Sequence, residues 1–509
     1  MSANVGSFLH RWAQQDPGRA GIIDSGHDDL VFSYGELGRQ ASRVAACLLD
    51  RGLGPGDRVA ICTANGLDFI AAWFGTVYAG CATLPIPAMS TAHEVAFRLQ
   101  HAGCKALLTD VDRSAVAHEG KARAGTSSEV LLVGDAIASA TGEAPPCDTP
   151  PDSPAMLLYT SGTTGAAKCV CIAHESLGAH TQALVEQTLQ LTEDDRVLGT
   201  LPLTHSYGIR TTLLVPFYAG ASTVFVPRFS PSRTLELCTT HRITWLPGVP
   251  TMFVAWANED SQPEPRSLRW CMSAGAPLVE DVRLRAEARL GAPVRQAYGL
   301  TEANLTAVNA PPDRAVPGSS GKPVAGVDLK IADDFGEELP QGVHGEVLVR
   351  GQNVMAGYLD EKLATAHVMR GGWLHTGDIG FVDDEGRLTI ADRSKDLILR
   401  GGASVYPSEV ENVLAHHHAV KDVAVVGKPD DYYGEEIVAV VVRDLDVTAR
   451  QLDDWAREQL ASYKVPRRYA FVETLPRGAS GKTLKRRLRD QLVSGELGAE
   501  RLPPHRPAQ

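Results

Sequence analysis

Tyr159-Thr-Ser-Gly-Thr-Thr-Gly-Ala-Ala-Lys168 stands between two apolar runs, residues 155–158 before it and 169–173 after it. Hydroxyls, glycines and one lysine share a single loop. Glycine lets the backbone approach an anion and aims successive N–H groups at it. Ser161, Thr163, Thr164 and Lys168 add side-chain donors, so the loop suits a polyphosphate. The Walker pattern is different, because there the lysine follows glycine directly and opens a helix. Here Lys168 stands three residues after Gly165 and leads into an apolar, strand-like run. On residue types alone, a Ser/Thr/Gly hairpin turn is the plainer reading of such a cluster; both readings predict strand, loop, strand.

Outward from this loop the chain alternates. Residues 36–48 place Leu37, Ala41, Val44, Ala45 and Leu48 at helical intervals, and Gly52 ends the pattern. Residues 58–62, 106–109, 130–133, 197–198, 223–226, 243–246 and 294–297 are short apolar strand candidates separated by helix-length segments. That order predicts layered α/β architecture with mostly parallel sheets. From Gly318 to about Ile390 the pattern becomes glycine-punctuated short strands, a small β unit. After Asp392 it changes again: helices over 409–416 and 452–460 and strands over 420–427 and 436–443 predict a compact α+β module. The expected division is a large multi-subdomain N-terminal domain, 1–392, and a small mobile domain, 393–509, whose last dozen residues fray. No internal repeat or low-complexity tract is visible.

Composition bounds the function. The chain has 509 residues and a formal net charge of −12, so no whole-molecule positive field is present to hold nucleic acid or an anionic membrane. An anionic partner has to be met locally. The 9 cysteines form neither a C-x-x-C pair nor a zinc-like spacing and read as reduced core thiols. The start carries no basic segment followed by an apolar run, and Gly75, Gly80, Pro85 and Pro87 interrupt the longest uncharged stretch. A cytoplasmic protein without a membrane span is therefore expected.

Further strings follow in order: Ser273-Ala-Gly-Ala-Pro-Leu278, Tyr298-Gly-Leu-Thr-Glu302, Trp373-Leu-His-Thr-Gly-Asp378, Arg393-Ser-Lys-Asp396, Gly401-Gly402 and Gly478-Ala-Ser-Gly-Lys482. Together with residues 159–168 they resemble the acyl-adenylate-forming superfamily, and within it the acyl-CoA synthetase branch, over nearly the whole chain. The resemblance implies a two-step reaction in which a carboxylic acid and ATP give acyl-AMP and pyrophosphate, after which a thiol takes the acyl group and AMP leaves. ATP, Mg²⁺ and the co-substrate CoA are the implied small molecules, and a homodimer is compatible with it. An alternative is an acyl-AMP ligase that loads the phosphopantetheine of an acyl carrier protein.

Each string also has a physical reading. A carboxylate at Glu302 facing a phosphate loop repels it unless a cation intervenes. Mg²⁺ takes one or two carboxylates together with phosphate oxygens and water, so Glu302 is the expected metal ligand, with Thr301 donating to the α-phosphate. Asp378, after the Thr376-Gly377 turn, can accept both ribose hydroxyls as an acidic group does in dinucleotide sites, and Arg393 shares that sugar. The family positions add Thr160, Gly162, Gly275, Ala276, Tyr298 and Gly299 to the nucleotide site. Lys482, on a Gly-rich loop, is the expected mobile cation that bridges carboxylate and phosphate. Lys395 matches the family's hinge, and Gly401 and Gly402 its thiol tunnel. The basic residues Lys485, Arg486, Arg487 and Arg489 read as a solvated helical face, with contact to the CoA phosphates as the alternative. His416, His417 and His418 point to different faces of a helix end and are not a metal site.

His205 matches an aromatic or His gate beside the acyl carbonyl. Amino-acid-activating relatives place an Asp shortly after that position; here stand Ser206, Tyr207, Gly208 and Ile209. An ammonium buried without a counter-charge is costly, so an acid lacking an α-amino group is expected. Tyr207, Trp245, Ser273 and Ala274 are the candidate lining of an acyl pocket for an apolar fatty, aromatic or polycyclic acid. No insertion of the kind that marks fatty acyl-AMP ligases follows the hinge, which favours CoA over a carrier protein.

Overall fold

The computed structural model describes residues 4–160, 168–260, 265–313, 315–393, 396–400, 403–430, 433–478 and 483–502. Two sheets dominate the N-terminal part. In the nine-stranded sheet, Ala20–Asp24, Ser222–Phe225, Arg196–Gly199, Trp245–Gly248, Trp270–Ala274 and Val294–Leu300 run parallel, and antiparallel strands close both edges. In the seven-stranded sheet, Glu129–Leu132, Ala106–Thr109, Arg58–Cys62, Ala82–Pro85 and Pro154–Tyr159 are parallel, and Cys169–Ala173 and Gly357–Tyr358 add an antiparallel edge. Their strands are short and almost continuously buried, which is what a parallel sheet covered on both faces requires.

The helix Leu67–Tyr78 is buried from Phe69 onward, and Phe74 stacks on Phe217 at 5.3 Å; a helix apolar all round belongs inside. Capping boxes open Tyr34–Asp50 (Ser33 with Glu36) and Ala92–Ala102 (Thr91 with Glu94). A common core joins Ile22, Ile61, Trp73, Val197, Trp245 and Val347, so the two sheets and the following β unit share one hydrophobic interior. That unit is an antiparallel sheet of Val327–Ala332, Gly345–Gly351, Trp373–Val382, Met369–Arg370 and Leu388–Arg393.

From Ile398 a separate sheet begins, with Val420–Asp430 and Gly434–Arg443 paired antiparallel and Arg468–Val472 added parallel. The helices Pro407–Ala415, Ala449–Gln459 and Lys485–Ser494 flank it. Its own clusters, around Val425, Ile437 and Leu452 on one face and Val426, Val440 and Leu488 on the other, fill both sides. The chain is α/β, with a large N-terminal part and a smaller C-terminal one.

The observed elements depart from the sequence reading in a few places. The strand expected at 243–246 starts two residues later. Thr244 is held in the preceding turn, where its hydroxyl donates to Asp195 Oδ1 at 2.6 Å and accepts from Arg196 N at 3.0 Å. Two π-helical stretches, Leu184–Leu189 and Arg210–Leu214, extend helices that periodicity alone cannot distinguish from α. At the C-terminus Glu500–Arg501 pairs with Arg468 and Tyr469, and Leu502 is buried, so order persists further than the Pro/Arg composition suggests. His417 and His418 lie beyond the helix end and stack at 4.6 Å, with His417 edge-on to Trp455. Lys485 pairs with Glu411 at 2.8 Å and Arg489 donates to the Gly427 carbonyl, so the basic face is partly engaged in packing. Of the cysteines, seven are buried and Cys147 and Cys171 are half-buried, none in a disulfide.

Candidate active site

Pro154–Tyr159 and Cys169–Ala173 form the expected hairpin, with Tyr159 opposite Cys169. Its last rung is Thr160 N donating to the Lys168 carbonyl at 2.9 Å, which fixes both ends of the loop. Ser161, Gly162, Thr163, Thr164 and Gly165 lie outside the described residues. The hairpin is braced from behind: the Tyr159 hydroxyl meets His101 Nδ1 at 2.8 Å, and the Arg98 guanidinium lies 5.6 Å from the Tyr159 ring centroid.

The second hairpin is Val294–Leu300 with Asn304–Val308, and its turn carries Thr301 and Glu302, both half-buried. Gly299 is obligatory there, since a Cβ on it would sit 2.0 Å from the Asn304 carbonyl oxygen. One segment, residues 353–359, stitches the two hairpins together. Met355 N donates to the Glu302 carbonyl at 2.7 Å, Asn353 Nδ2 to the Ala303 carbonyl at 2.6 Å, and Leu359 N to the Cys169 carbonyl at 2.8 Å. Tyr358 is the side-chain link: its hydroxyl donates to Glu302 Oε1 at 2.9 Å, while Lys168 Nζ lies 4.7 Å from its ring centroid. Burial first, and the Glu302 charge second, push the Tyr358 phenol pKa up, so it stays a donor. The loop lysine and the turn carboxylate, 134 positions apart in sequence, thus face each other across one tyrosine. Sequence reasoning missed Tyr358; nothing in its local surroundings marks it, and its role follows only from its pairing with Val170 in the sheet.

Behind them, Asp378 is buried on the strand Trp373–Val382 and accepts from the Tyr298 hydroxyl at 2.6 Å. The Thr376 hydroxyl accepts from Asp378 N at 3.1 Å and donates to the Val347 carbonyl, and Gly377 N donates to Glu346 Oε1, which shapes the turn. Arg393 is the Cα partner of Asp378 across the antiparallel pair. The two residues read as ribose partners are thus neighbours on one ladder.

His205 caps the short helix Ser206–Ile209, with Nδ1 accepting from Tyr207 N at 3.3 Å. The Tyr207 hydroxyl donates to the carbonyl of Met272 at 2.9 Å, and that of Gly248 lies at 3.3 Å, pinning the helix over the C-terminal ends of two parallel strands. Ligands of open α/β sheets sit outside those ends. Ser273 and Ala274 end the second strand, buried, with Ser273 Oγ unpartnered; Gly275, at φ 95°, and exposed Ala276 continue the turn. Trp245 is placed elsewhere: it opens its strand three residues before Gly248, fully buried and 5.8 Å from Trp270. That is the opposite end of the sheet strands from Gly248 and its register partner Ser273. Lys482, Lys395, Gly401 and Gly402 lie outside the described residues.

Glu302 is a half-buried carboxylate that forms no ion pair with Lys, Arg or His among the described residues, and its recorded donor is the Tyr358 hydroxyl. Such oxygens fit a hard cation that takes most of its shell from phosphate and water. Among the described residues no group of three or more His, Cys, Asp or Glu could hold a metal by itself.

Residues 9–359 match the family described as AMP-binding enzyme, and residues 409–482 match AMP-binding enzyme C-terminal domain. The chain belongs to the AMP-binding enzyme family. Among curated relatives of this AMP-binding enzyme, a 3-[(3aS,4S,7aS)-7a-methyl-1,5-dioxo-octahydro-1H-inden-4-yl]propanoyl:CoA ligase of Mycobacterium tuberculosis is 36% identical, over 96% of this chain and 98% of its own. A fatty acid–[acyl-carrier-protein] ligase, ScoC, of Streptomyces coeruleorubidus is 35% identical over 94% of each. Among solved structures, ATP-bound MatB from Rhodopseudomonas palustris superposes with a TM-score of 0.91 at 33% identity, covering 96% of this chain and 99% of that one.

Proposed function

We propose that this AMP-binding enzyme is a carboxylic acid–CoA ligase, joining ATP and an apolar-bodied acid to give acyl-AMP and pyrophosphate and then passing the acyl group to the CoA thiol with release of AMP. The observation that carries the reading is the Lys168–Tyr358–Glu302 line between two hairpins, with Asp378 and Tyr298 behind it. A loop of donors and a cation on one side, and a carboxylate held in place on the other, is the arrangement a polyphosphate and its counter-ion need.

The roles divide as follows. Residues 160–165 and Lys168 hold the phosphates, with Gly275, Ala276 and Gly299 leaving room for the nucleotide. Asp378 and Arg393 take the ribose, and Tyr298 fixes the Asp378 carboxylate. Thr301 donates to the α-phosphate. Glu302 would hold Mg²⁺, which supplies charge neutralisation at the phosphates when bound. His205 and Tyr207 border the acyl carbonyl, and Ser273 and Ala274 line the pocket. Lys482 orients the attacking carboxylate against the α-phosphate, so that a bimolecular step becomes effectively intramolecular. The second step needs that lysine withdrawn, which supports rotation of the smaller domain, 393–509, about Lys395, opening a path for pantetheine past Gly401 and Gly402. No helix among the described residues is long and apolar enough to cross a membrane.

Pyrophosphate exchange across short, long, aromatic and polycyclic acids tests the first step, and thiol-dependent AMP release with CoA or a holo-carrier protein tests the second. Lys482→Ala should slow adenylate formation by orders of magnitude while preformed acyl-AMP still yields thioester. Equal loss of both half-reactions contradicts the domain rotation, and AMP release with the carrier protein alone refutes CoA as acceptor. The carrier-protein reading is kept because ScoC, a relative of similar identity, bears that activity in its name.

A further inference from the structure

Asn65 stands three residues beyond the strand Arg58–Cys62 of the seven-stranded sheet, and Leu201 two residues beyond Arg196–Gly199 of the nine-stranded one. One amide joins the two sheets here. Asn65 Nδ2 donates to the Leu201 carbonyl at 2.9 Å, and Oδ1 accepts from Leu203 N at 3.0 Å. A carboxamide is a peptide group carried on a side chain, so it can pair with a backbone segment through both of its atoms. Since one partner accepts and the other donates, the amide can face only one way. Leu201 and Leu203 are buried, where an unpaired backbone group is costly, and Pro202 between them has no N–H to offer. The segment carrying Asn65 is itself held: Ala64 N donates to Asp110 Oδ2 at 2.9 Å, and Asp110 pairs with Arg113 at 2.7 Å.

The tie reaches His205 in one further step. His205 N donates to the carbonyl of Pro202 at 3.1 Å, the residue between the two that Asn65 grips. Gly208 packs on the same carbonyl, since a Cβ there would lie 2.1 Å from its oxygen. His205 and the helix Ser206–Ile209 are thus set against a peptide that Asn65 fixes on both sides. Residues 200–205 belong to no helix or strand. No ladder therefore fixes the place of His205, and the precision a functional side chain needs has to come from supporting bonds of this kind.

We propose that Asn65 is a positioning residue for adenylate formation: it holds the 201–203 turn so that His205 stays beside the acyl carbonyl. This rests on the ligase reading, in which His205 borders that carbonyl, and adds the side chain that keeps it there. The recorded bonds of Asn65 run to Leu201 and Leu203 and to no residue assigned to ATP, so its loss should act on kcat and leave KM for ATP in place. A plain structural tie between the sheets behaves differently, because its loss does not depend on whether His205 is present.

The test is pyrophosphate exchange with the best acid, comparing the wild type with Asn65→Leu, Asn65→Asp, His205→Ala, and Asn65→Leu combined with His205→Ala. Leucine keeps the volume and removes both bonds, whereas aspartate still accepts from Leu203 N but cannot donate. Expected for Asn65→Leu is a fall in kcat of about 10- to 100-fold, as a misplacement of about 1 Å gives, with KM for ATP within about twofold. Asn65→Asp should lose less. In the combined variant Asn65→Leu should lower kcat by less than about threefold beyond His205→Ala alone, because groups that act as a unit are not additive. The proposal is overturned by a kcat for Asn65→Leu within about threefold of the wild type, or by a loss that appears as a rise in KM for ATP. An undiminished further loss in the His205→Ala background, or a His205→Ala variant as active as the wild type, overturns it equally. Should Asn65→Leu fail to fold, the same cycle with Asn65→Asp decides, by whether its loss disappears once His205 is gone. A wild type that exchanges pyrophosphate with no acid on a broad panel refutes the ligase reading, and the proposal with it.

Discussion

Replacing Gly299 by alanine probes the geometry of the site without removing any polar group assigned to substrate. The new methyl would stand 2.0 Å from the Asn304 carbonyl oxygen, 2.8 Å from its carbon and 3.0 Å from Leu305 Cα, all of them backbone. None can rotate away as a side chain would, so the hairpin arms have to part by roughly 1 Å to restore van der Waals distance. Overpacking of this kind costs about 1–3 kcal/mol, and backbone on the receiving side puts the expectation at the upper end. Function should suffer more. The displaced strand carries Thr301 and Glu302 at its turn, and a misplacement of about 1 Å at reacting groups lowers rates by about 100-fold. The measurements are urea denaturation followed by tryptophan fluorescence, and pyrophosphate exchange with the best acid. Gly18→Ala serves as control, since nothing lies within 4 Å of its added carbon. Exchange by Gly299→Ala within about threefold of the wild type, a barrier change of under 1 kcal/mol, would refute the argument that this turn positions the chemistry.

Tyr298→Phe removes the donor 2.6 Å from Asp378 Oδ2; hydrogen bonds to charged groups are worth about 1.5–3 kcal/mol, so AMP binding measured by titration calorimetry should weaken by about tenfold or more. Burial lowers the His174 pKa to about 4 from 6.5, and depresses His180 in the same sense. Between those values the unfolded chain binds the proton and the native one does not, so stability is full above pH 6.5 and falls toward pH 4 by about 1.4 kcal/mol per pH unit for each group. His174→Gln should flatten that slope in denaturation series, and an unchanged slope refutes the assignment. At the Arg400–Glu436 pair, Glu436→Gln should cost about 3–5 kcal/mol, whereas Arg400→Met with Glu436→Leu should come within about 1 kcal/mol of the wild type.

Local strings revealed the parts of the site but not how they meet. The loop 159–168 and the turn at 298–302 could be read because each is a contiguous run of glycines, hydroxyls and one charge. Tyr358 could not, because it is an unremarkable residue between Gly357 and Leu359 whose meaning comes from lying beside Val170 in a sheet. Asn65 shows the same limit from the other direction. Its sequence neighbours are ordinary, and only its bonds to a turn of the other sheet make it noteworthy. Trp245 opens a strand whose far end, Gly248, lies roughly 10 Å further along at about 3.3 Å per residue, so nearness in sequence to the residues after it does not bring its side chain to that end. The parallel order of the sheets, by contrast, was legible because fully buried strands have to be apolar throughout.

The ladder that pairs Asp378 with Arg393 is also the stem from which the smaller domain departs, since the next sheet begins at Ile398. A ribose held as proposed by Asp378 and Arg393 would sit on the last paired rung before that sheet. On the proposed roles, the nucleotide pocket and the departure point of the smaller domain share a single anchor.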